Sequence, residues 1–308
     1  MWDNYQKTVN KSVNFSGVGL HSGIKANVKL LSAAAGTGII FKRVDLKRNN
    51  KILANFKNVS SAKLCTKIEN SFGASVSTIE HLMAAFYLFG IDNLIVEIDG
   101  PEVPIMDGSS LNFIQILKEA GQRTLNKERK FIRITKKIAY QDKDKSISIE
   151  PEETIFKVKF TLSYNNPLIK NQSNKVNLNE DNLEDIYSAR TFCLFEDVEK
   201  IKSQGFAKGG SLENAVVVKD DKVLNEGGLR SEKEFVNHKI LDLLGDFMLV
   251  GNRMIGSVDC FHGGHSLTND FLRKLFSKKL NYSYVESDNY PKIKKDTNNY
   301  QKRLVVNA

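Results

Sequence analysis

Residues 77–90 read STIEHLMAAFYLFG and predict a helix that is apolar on every side and ends at Gly90. Because such a helix has no polar face to turn toward water, we expect it to lie deep in the protein. Strand-like and helical segments surround it in the sequence, at 26–31, 38–42, 93–98 and 111–120. This order of elements predicts an irregular α+β unit built around a buried helix.

A second α+β unit follows a polar stretch, RTLNKERK (123–130), which is the best candidate for a linker. Helices are predicted at 183–199, 237–250 and 269–275, and strands at 131–134, 146–149, 156–162 and the end of 205–218. We therefore divide the chain near residue 127, into an N-terminal domain (1–126) and a C-terminal domain (127–308). The length of 308 residues agrees with two domains of roughly 150 residues each.

Composition excludes several protein classes. With 41% hydrophobic and 26% charged residues, the chain has enough apolar side chains for sizeable cores, which excludes global disorder. The longest apolar run, 82–91, is far shorter than the roughly 20 residues of a membrane-spanning helix. The first residues, MWDNYQKTVNK, contain no signal-peptide core, so we expect a cytoplasmic protein.

Cys65, Cys193 and Cys260 form neither a CxxC pair nor a disulfide framework, and we expect them to be reduced and buried.

The net charge of +9 is compatible with three kinds of partner: nucleic acid, an anionic membrane surface or a polyanionic small substrate. Residues 270–308 hold nine Lys and Arg against four Asp and Glu, so more than half of the excess lies in this tail. A nucleic-acid-binding protein would interleave basic residues with exposed aromatics on one face, and only the tail offers that pattern. We expect no nucleic-acid partner, and the role of the tail stays open.

His238, Asp242 and Asp246 are spaced four residues apart in HKILDLLGD (238–246), so on a helix they form one polar stripe together with Lys239. Within this stripe His238 and Asp242 lie one turn apart, where both can reach a single zinc ion at about 2.0–2.2 Å. The alternative is a solvent-facing stripe with an ordinary His–Asp pair. This helix alone does not choose between the two.

His81 is the candidate for a third ligand, because its surroundings are too apolar for a casual surface histidine. Its neighbour Glu80 has two interpretations. Ser77 and Glu80 have the spacing of a capping box, in which Glu80 would only close the start of the helix, whereas in the other interpretation Glu80 is a catalytic base. Two histidines, one carboxylate and a free glutamate are the composition of a hydrolytic zinc site, and the missing HExxH motif disfavours a zincin protease.

Two further segments carry histidines beside glycine. FHGGHS (261–266) places His262 and His265 on a flexible turn from which a side chain can reach into a cleft. His265 is either a general acid or an ordinary loop histidine. SGVGLHSG (16–23) contains a lone GxG without the rest of a dinucleotide-binding fingerprint, so it predicts a tight turn.

With these segments in place, the chain resembles the zinc-dependent UDP-3-O-acyl-N-acetylglucosamine deacetylases of lipid A biosynthesis, a route to lipopolysaccharide in Gram-negative bacteria. The resemblance spans nearly the whole chain and rests on several long motifs in the family's order. These are SGVGLHSG (16–23), STIEHLMAA (77–85), GIDNLIVEIDGPEVPIMDGSS (90–110), ARTF (189–192), GGSLENAVVV (209–218), VLNEGGLRSEKEFVNHKILDLLGD (223–246) and GGHSL (263–267). It implies two α+β domains of similar topology, with helices packed between outer sheets, the site at the domain interface and a small insert in each domain.

The resemblance implies that His81, His238 and Asp242 bind Zn²⁺, with water as the fourth ligand. Zinc can lower the pKa of such a water from about 15.7 to roughly 7. Glu80 would be the general base that directs this water onto the acetamide carbonyl.

The same resemblance implies that His265, oriented by Asp246, protonates the departing amine. The Thr191 hydroxyl and the zinc would share the charge that grows on the carbonyl oxygen. The substrate would be a UDP-linked acylated N-acetylglucosamine, and the products acetate and a free 2-amino sugar. The complete set of residues argues against a zinc-free pseudo-enzyme. We expect a monomer without a transmembrane segment, and an acylated substrate is compatible with peripheral association with the inner membrane.

The resemblance also places a βαβ insert at about 193–222, with a passage for the substrate's acyl chain along it. The expected wall of this passage is Phe195, Val198, Ile201, Ala207, Gly210, Leu212 and Val217. The alternative is that these side chains simply pack the core of the insert. A passage is favoured because a fatty chain gains about 0.8 kcal/mol per CH₂ on leaving water.

Further substrate contacts are expected at Lys239, which would face the diphosphate or the sugar, at Tyr164, which would stack on the uracil, and at Phe192. Two positions depart from the family pattern. His262 stands where relatives commonly carry a basic residue, so we expect this diphosphate contact to depend on pH or to be lost. Asn166 stands where a histidine often precedes the proline.

Overall fold

The first half of the chain holds ten strands and two helices in the computed structural model, which describes residues 4–286. The strands are β1 (Tyr5–Val9), β2 (Val13–Val18), β3 (Lys25–Ser32), β4 (Ile39–Arg43), β5 (Lys51–Leu53), β6 (Val59–Ser61), β7 (Lys67–Glu69), β8 (Ser75–Val76), β9 (Leu94–Ile98) and β10 (Gln122–Glu128). The helices are α1 (Glu80–Phe89) and α2 (Leu111–Ala120), and a 3₁₀ turn covers Phe56–Asn58.

Five of these strands form a mixed sheet in the order β2-β3-β9-β4-β5, in which β4 and β9 are the parallel pair. Alternate residues of β3 are buried, so one face of the sheet meets the core and the other meets solvent. On the covered side, α2 packs against β2. A small three-stranded sheet, β6-β7-β8, precedes α1.

The second half uses the same kinds of element. Its strands are β11 (Lys130–Ile134), β12 (Ile138–Asp142), β13 (Lys145–Glu150), β14 (Phe156–Ser163), β15 (Asn171–Asn177), β16 (Phe192–Leu194), β17 (Val216–Lys219), β18 (Lys222–Val223), β19 (Arg253–Phe261) and β20 (Tyr282–Glu286). Its helices are α3 (Glu184–Tyr187), α4 (Phe195–Ser203), α5 (Glu234–Met248) and α6 (His265–Leu275), with a 3₁₀ turn at Lys279–Asn281.

A seven-stranded sheet forms around β19, which pairs with β11, β13 and β14, while β12, β15 and β20 extend it. Separately, β16 and β17 run parallel with α4 between them, and β18 completes a three-stranded sheet. This small βαβ unit lies in the segment for which an insert is expected. Each half therefore combines a larger sheet, a three-stranded sheet and helices, and the first half adds a two-stranded sheet of β1 and β10.

Both larger sheets bury one face against a shared layer of helices. α1 packs along α5, α2 packs against β2, and α5 packs against β14 and β15. The buried apolar side chains form one continuous cluster, which includes Phe86 and Phe113 from the first half and Phe156 and Phe247 from the second. The α+β class with helices between outer sheets is confirmed.

Gly245 lets α1 and α5 approach each other closely. A Cβ atom at this position would collide with the carbonyl oxygen of Glu80. Since glycine has none, the first turn of α1 rests directly on α5, beside the polar stripe of that helix. The close crossing brings residues from the two halves of the chain to one place.

The prediction of a single helix at 183–199 is wrong, since α3 ends at Tyr187 and β16 begins at Phe192. The backbone between them is bonded elsewhere: the Thr191 amide donates to the Gly108 carbonyl at 2.8 Å, and β16 pairs with β17. Hydrogen bonds to distant segments outweigh the local helix propensity of this stretch.

The predicted linker at 123–130 is also wrong, because most of it forms β10, which pairs antiparallel with β1. Its sequence is polar because β10 leaves most of its side chains in solvent. The tail likewise does not begin at 270, since α6 ends at Leu275 and β20 pairs with β11. Residues 287–308 lie outside the described part of the chain. The division into two domains near 127 stays a proposal.

The helices of residues 4–286 include none whose length and apolar character would suit a membrane crossing. All three cysteines are free thiols. Cys65 and Cys260 are buried as expected, but Cys193 is only partly buried, because it borders a cavity described below.

Candidate active site

His81 on α1 and His238 and Asp242 on α5 meet where the two helices cross. Oδ1 of Asp242 lies 3.4 Å from Nε2 of His81 and 3.3 Å from Nε2 of His238. One possible ligand atom from each of the three side chains lies within 4.8 Å of the other two, and all three residues are buried. The one-turn spacing on α5 sets two of these groups side by side, and the docking of α1 adds the third.

These three groups fit a divalent metal ion. His238 donates from Nδ1 to the Ala189 carbonyl at 3.1 Å, so its Nε2 carries a lone pair toward Asp242. Burial lowers the pKa of His238 to about 3, which keeps the imidazole neutral. Oδ1 of Asp242 is buried and receives no hydrogen bond from any described residue. A buried carboxylate oxygen that faces two imidazole nitrogens without a donor is the arrangement a cation would satisfy.

Asp242 stays ionised in this environment. Its other oxygen, Oδ2, accepts a hydrogen bond from Nζ of Lys239 at 2.9 Å. Burial acts to raise the pKa of Asp242, but the neighbouring His238 and Lys239 outweigh burial and hold this pKa well below its ordinary value. The carboxylate is therefore available as a ligand at neutral pH.

Glu80 is the first residue of α1, and its side chain points into the site. The capping-box interpretation is wrong, because the helix begins at Glu80 itself. Ser77, three residues before Glu80, forms a β-bridge with Glu102 instead of capping the helix. Thr78 adopts a positive φ of 56°, and its hydroxyl donates to Glu102 at 2.6 Å, which turns the chain sharply before the helix. The Glu80 carboxylate is thereby free to face the other helices.

His265 lies between two carboxylates. Its Nδ1 is 2.9 Å from Oδ2 of Asp246, and its Nε2 is 3.5 Å from Oε1 of Glu80. Burial acts to lower the pKa of His265, but Asp246 and Glu80 outweigh burial and raise this pKa to about 10. Burial also raises the pKa of Glu80. His265 is the first residue of α6 and not part of a flexible turn, so its position is set by a helix.

Thr66 belongs to the site although no motif in the sequence points to it. It is buried immediately before β7, with its hydroxyl 2.7 Å from Oδ1 of Asp246 and its amide 3.0 Å from Oε2 of Glu80. The surrounding stretch, AKLCTKI (62–68), has neither a metal-ligand spacing nor a catalytic signature. Only the folded chain shows that this residue contacts both carboxylates.

Two cavities that share part of their walls lie at the site, and one of them borders the candidate metal ligands. The first, of about 360 Å³, is bordered by the ligands, Glu80 and His265, and also by Asp142, Lys145 and Tyr164. The second has a similar volume of about 360 Å³ and a mainly apolar wall. The residues common to both walls are Leu20, His21, Leu64, Thr191 and Phe192. A ligand with one polar and one apolar end can therefore occupy both at once.

The model of the UDP-3-O-acyl N-acetylglycosamine deacetylase family (LpxC) matches residues 6–277 of this sequence. The chain belongs to this deacetylase family. The UDP-3-O-acyl-N-acetylglucosamine deacetylase of Citrifermentans bemidjiense is 44% identical to this chain over 283 residues, which cover 92% of each of the two chains. Deacetylases of the same name from Photobacterium profundum and Actinobacillus succinogenes are each 40% identical, over 91% and 94% of this chain and 93% and 95% of their own lengths.

The wall residues that resemblance to the deacetylases assigns to an acyl passage all border the apolar cavity. They are Phe195, Val198, Ile201, Ala207, Gly210, Leu212 and Val217. Phe195 and Leu212 remain 45% and 49% exposed. Thr191 and Phe192 border both cavities and thus lie at the junction between them.

Four further residues are singled out by the deacetylase resemblance, and two of them border the polar cavity. Lys239 and Tyr164 border it, and Tyr164 packs against Phe192 with ring centroids 5.9 Å apart. His262 borders neither cavity, but its ring lies 5.5 Å from that of Tyr164. Asn166 accepts hydrogen bonds from two amides of its own turn and donates to the Asp220 carbonyl, so its side chain shapes the loop.

Proposed function

We propose that this protein removes the acetyl group from UDP-3-O-(3-hydroxyacyl)-N-acetylglucosamine in a zinc-dependent hydrolysis, an early committed step of lipid A biosynthesis. The observation that carries the proposal is the convergence, at one helix crossing, of a buried His/His/Asp set with the Glu80–His265 pair. Membership of the deacetylase family supports the same conclusion.

His81, His238 and Asp242 would hold the Zn²⁺. Two neutral imidazole nitrogens and one carboxylate oxygen are a ligand set of catalytic zinc sites, which keep one further position open. Zinc bound there supplies a Lewis acid that makes hydroxide available near neutral pH. Lys239 holds the second carboxylate oxygen of Asp242, so only the first is directed at the imidazoles.

Glu80 and His265 would divide the proton transfers between them. Glu80, as its carboxylate, takes a proton from the water that attacks the acetamide carbonyl carbon. When the carbon–nitrogen bond breaks, the leaving nitrogen takes a proton from His265, whose raised pKa keeps the imidazole protonated at neutral pH. The Thr191 hydroxyl donates to the carbonyl oxygen while it carries negative charge. The products are acetate and the amine.

The apolar cavity would hold the acyl chain, and the polar cavity the sugar and the nucleotide. Burying the acyl chain contributes about 0.8 kcal/mol per CH₂, which favours a passage over mere packing of the insert. We place Phe192 at the junction, Lys239 near the sugar or diphosphate, and Tyr164 against the uracil. Burial and the nearby Lys145 lower the pKa of His262, so this residue supplies no charge to the diphosphate at neutral pH.

The test is acetate release from purified UDP-3-O-(3-hydroxymyristoyl)-N-acetylglucosamine by the full chain, before and after removal of its metal. We expect release that stops on metal removal and returns with Zn²⁺. Loss of activity on chelation with no recovery on adding Zn²⁺ would contradict the zinc assignment. No release by the zinc-loaded protein would contradict the proposed reaction.

A further inference from the structure

Thr66 makes one hydrogen bond to each of the two carboxylates that flank His265. Its amide donates to Oε2 of Glu80 at 3.0 Å, and its hydroxyl donates to Oδ1 of Asp246 at 2.7 Å. The residue is 2% exposed, so both bonds are formed away from solvent. Buried hydrogen bonds to ionisable carboxylates are among the stronger ones in proteins.

The four residues form a closed ring of contacts. Thr66 donates to one oxygen of each carboxylate, Oε2 of Glu80 and Oδ1 of Asp246. The other oxygens, Oε1 of Glu80 and Oδ2 of Asp246, face the two nitrogens of His265. A carboxylate held at one oxygen cannot rotate freely about its last bond. The imidazole is therefore fixed from both sides through a residue that touches neither of its nitrogens.

We propose that Thr66 is a positioning residue for proton transfer, which holds the carboxylates of Glu80 and Asp246 against the two ring nitrogens of His265. The inference rests on the proposed deacetylation, in which Glu80 accepts and His265 donates a proton. Glu80 lies on α1, Asp246 on α5 and His265 on α6, so no single helix sets their mutual positions. Thr66, on a fourth segment, ties two of these helices together at the point where the protons move.

The alternative is that Thr66 only stabilises the fold. Thr8 offers a matched comparison, since it is also fully buried and its hydroxyl accepts a hydrogen bond, from the Ala33 amide at 3.0 Å, outside the candidate site. Loss of either hydroxyl leaves a buried group without its partner and lowers stability. Only the loss at Thr66 should change catalysis.

The experiment compares Thr66→Val, Thr66→Ser and Thr8→Val in the full zinc-loaded protein. Valine keeps the branched shape and the amide of Thr66 but removes the hydroxyl, whereas serine keeps the hydroxyl. For Thr66→Val we expect kcat to fall about tenfold, equivalent to about 1.4 kcal/mol in the barrier, with KM and zinc content unchanged. Thr66→Ser should retain wild-type kcat, and Thr8→Val should lose stability only.

A second measurement needs no turnover. In protein labelled with ¹⁵N-histidine, the Nδ1 proton of His265 is identified as the signal lost in His265→Gln. We expect this signal in wild type and Thr66→Ser, and its loss through faster solvent exchange in Thr66→Val, where Asp246 is no longer held. Thr66→Ala removes the same hydroxyl without any risk of a clash and should behave alike if the valine variant does not fold.

Wild-type kcat together with an unchanged Nδ1 proton signal in Thr66→Val would overturn the positioning role. An equal loss of kcat in Thr8→Val would do the same, because it would reduce the effect to general stability. Absence of acetate release by the wild-type protein would instead refute the proposed function, and the proton signal would still report whether Thr66 orders His265.

Discussion

Glu80 is buried and His265 is partly buried, and in each of them burial and neighbouring charges alter the pKa. Burial raises the pKa of Glu80, while Asp246 and Glu80 together raise that of His265 to about 10. A divalent cation on the adjacent ligand set would favour the Glu80 carboxylate, because a nearby positive charge stabilises the ionised form. The two groups can then hold opposite protonation states at one pH, as an acid and a base require.

Glu80→Gln should retain zinc and lose most of its activity. Glutamine keeps the shape of the side chain but cannot accept the proton, so we expect acetate release to fall about 10²- to 10⁴-fold. Zinc content and acetate release are measured on the same preparation. Glu97→Gln is the control, since Glu97 pairs with Lys42 at the surface. Near-normal release by Glu80→Gln would contradict its role as the base.

The pKa of His265 predicts how stability changes with pH in the metal-free protein. The unfolded chain loses this proton near the ordinary value of 6.5, while the folded chain keeps it up to about 10. The stabilisation is therefore complete below pH 6.5 and is lost as the pH rises to about 10. Urea unfolding across this range should show a declining free energy in wild type and a smaller decline in His265→Gln. Equal declines would contradict the raised pKa.

Among single residues, the candidate metal ligands were easier to predict from the sequence than the residues that position the catalytic groups. His238 and Asp242 could be predicted as neighbours from their helical spacing, and the apolar surroundings of His81 indicated burial. Thr66 could not be predicted, since a threonine in the loop before a short strand has no chemical signature until the fold sets it against two carboxylates. The role of Glu80 stayed ambiguous in the sequence because its spacing from Ser77 also suits a cap.

Among the secondary-structure elements, α5 depends on a buried ion pair at its start. The carboxylate of Glu234 accepts from the amide and the guanidinium of Arg190 and from the amide of Arg230. Arg190 lies between Ala189, whose carbonyl orients His238, and Thr191, which borders both cavities. This ion pair therefore anchors the 189–191 segment to the helix that carries two candidate metal ligands.

Glu234→Gln should destabilise the protein markedly. Removing one charge of a fully buried pair leaves the Arg190 guanidinium without its counter-ion, which costs about 3–5 kcal/mol. Urea unfolding measures the loss, and zinc affinity should weaken in parallel because the Ala189 carbonyl is less well placed. Glu97→Gln should change stability little, since its pair is partly exposed. Unchanged stability in Glu234→Gln would contradict the anchoring role.

The helices that are apolar or strongly patterned were predictable, and the segments governed by distant contacts were not. The helix expected at 77–90 lies at Glu80–Phe89, and that expected at 237–250 lies at Glu234–Met248. Residues 183–199 have helical periodicity, but their backbone bonds to Gly108 and β17 instead. Polar composition at 123–130 indicated a linker because a solvent-facing ribbon and a loop carry similar side chains.

Across the whole molecule, the candidate site depends on how closely the two halves pack. His81 and Glu80 come from the first half, and His238, Asp242 and Asp246 from the second. The absence of a side chain at Gly245 permits this approach, since the Glu80 carbonyl lies where a Cβ would be. One continuous apolar core holds the halves together around this contact.

Gly245→Ala tests this packing through the sign of its effect. In an ordinary helix interior, alanine is more favourable than glycine by about 1 kcal/mol. Here we expect the opposite, a loss of stability and of zinc affinity, because the new methyl group pushes α1 away from α5. Urea unfolding and zinc titration measure the two effects. A stabilised variant with unchanged zinc affinity would contradict the close crossing.

The path of the chain through the shared core has a practical consequence. A cut between Glu128 and Lys130 would fall where β10 ends and β11 begins, and would leave His81 on one fragment and His238 with Asp242 on the other. Neither fragment alone would contain all three candidate metal ligands, and each would expose the apolar surface of its helices to solvent. Tight zinc uptake on mixing the two would thus report their reassembly, so the metal could serve as a probe of fragment complementation.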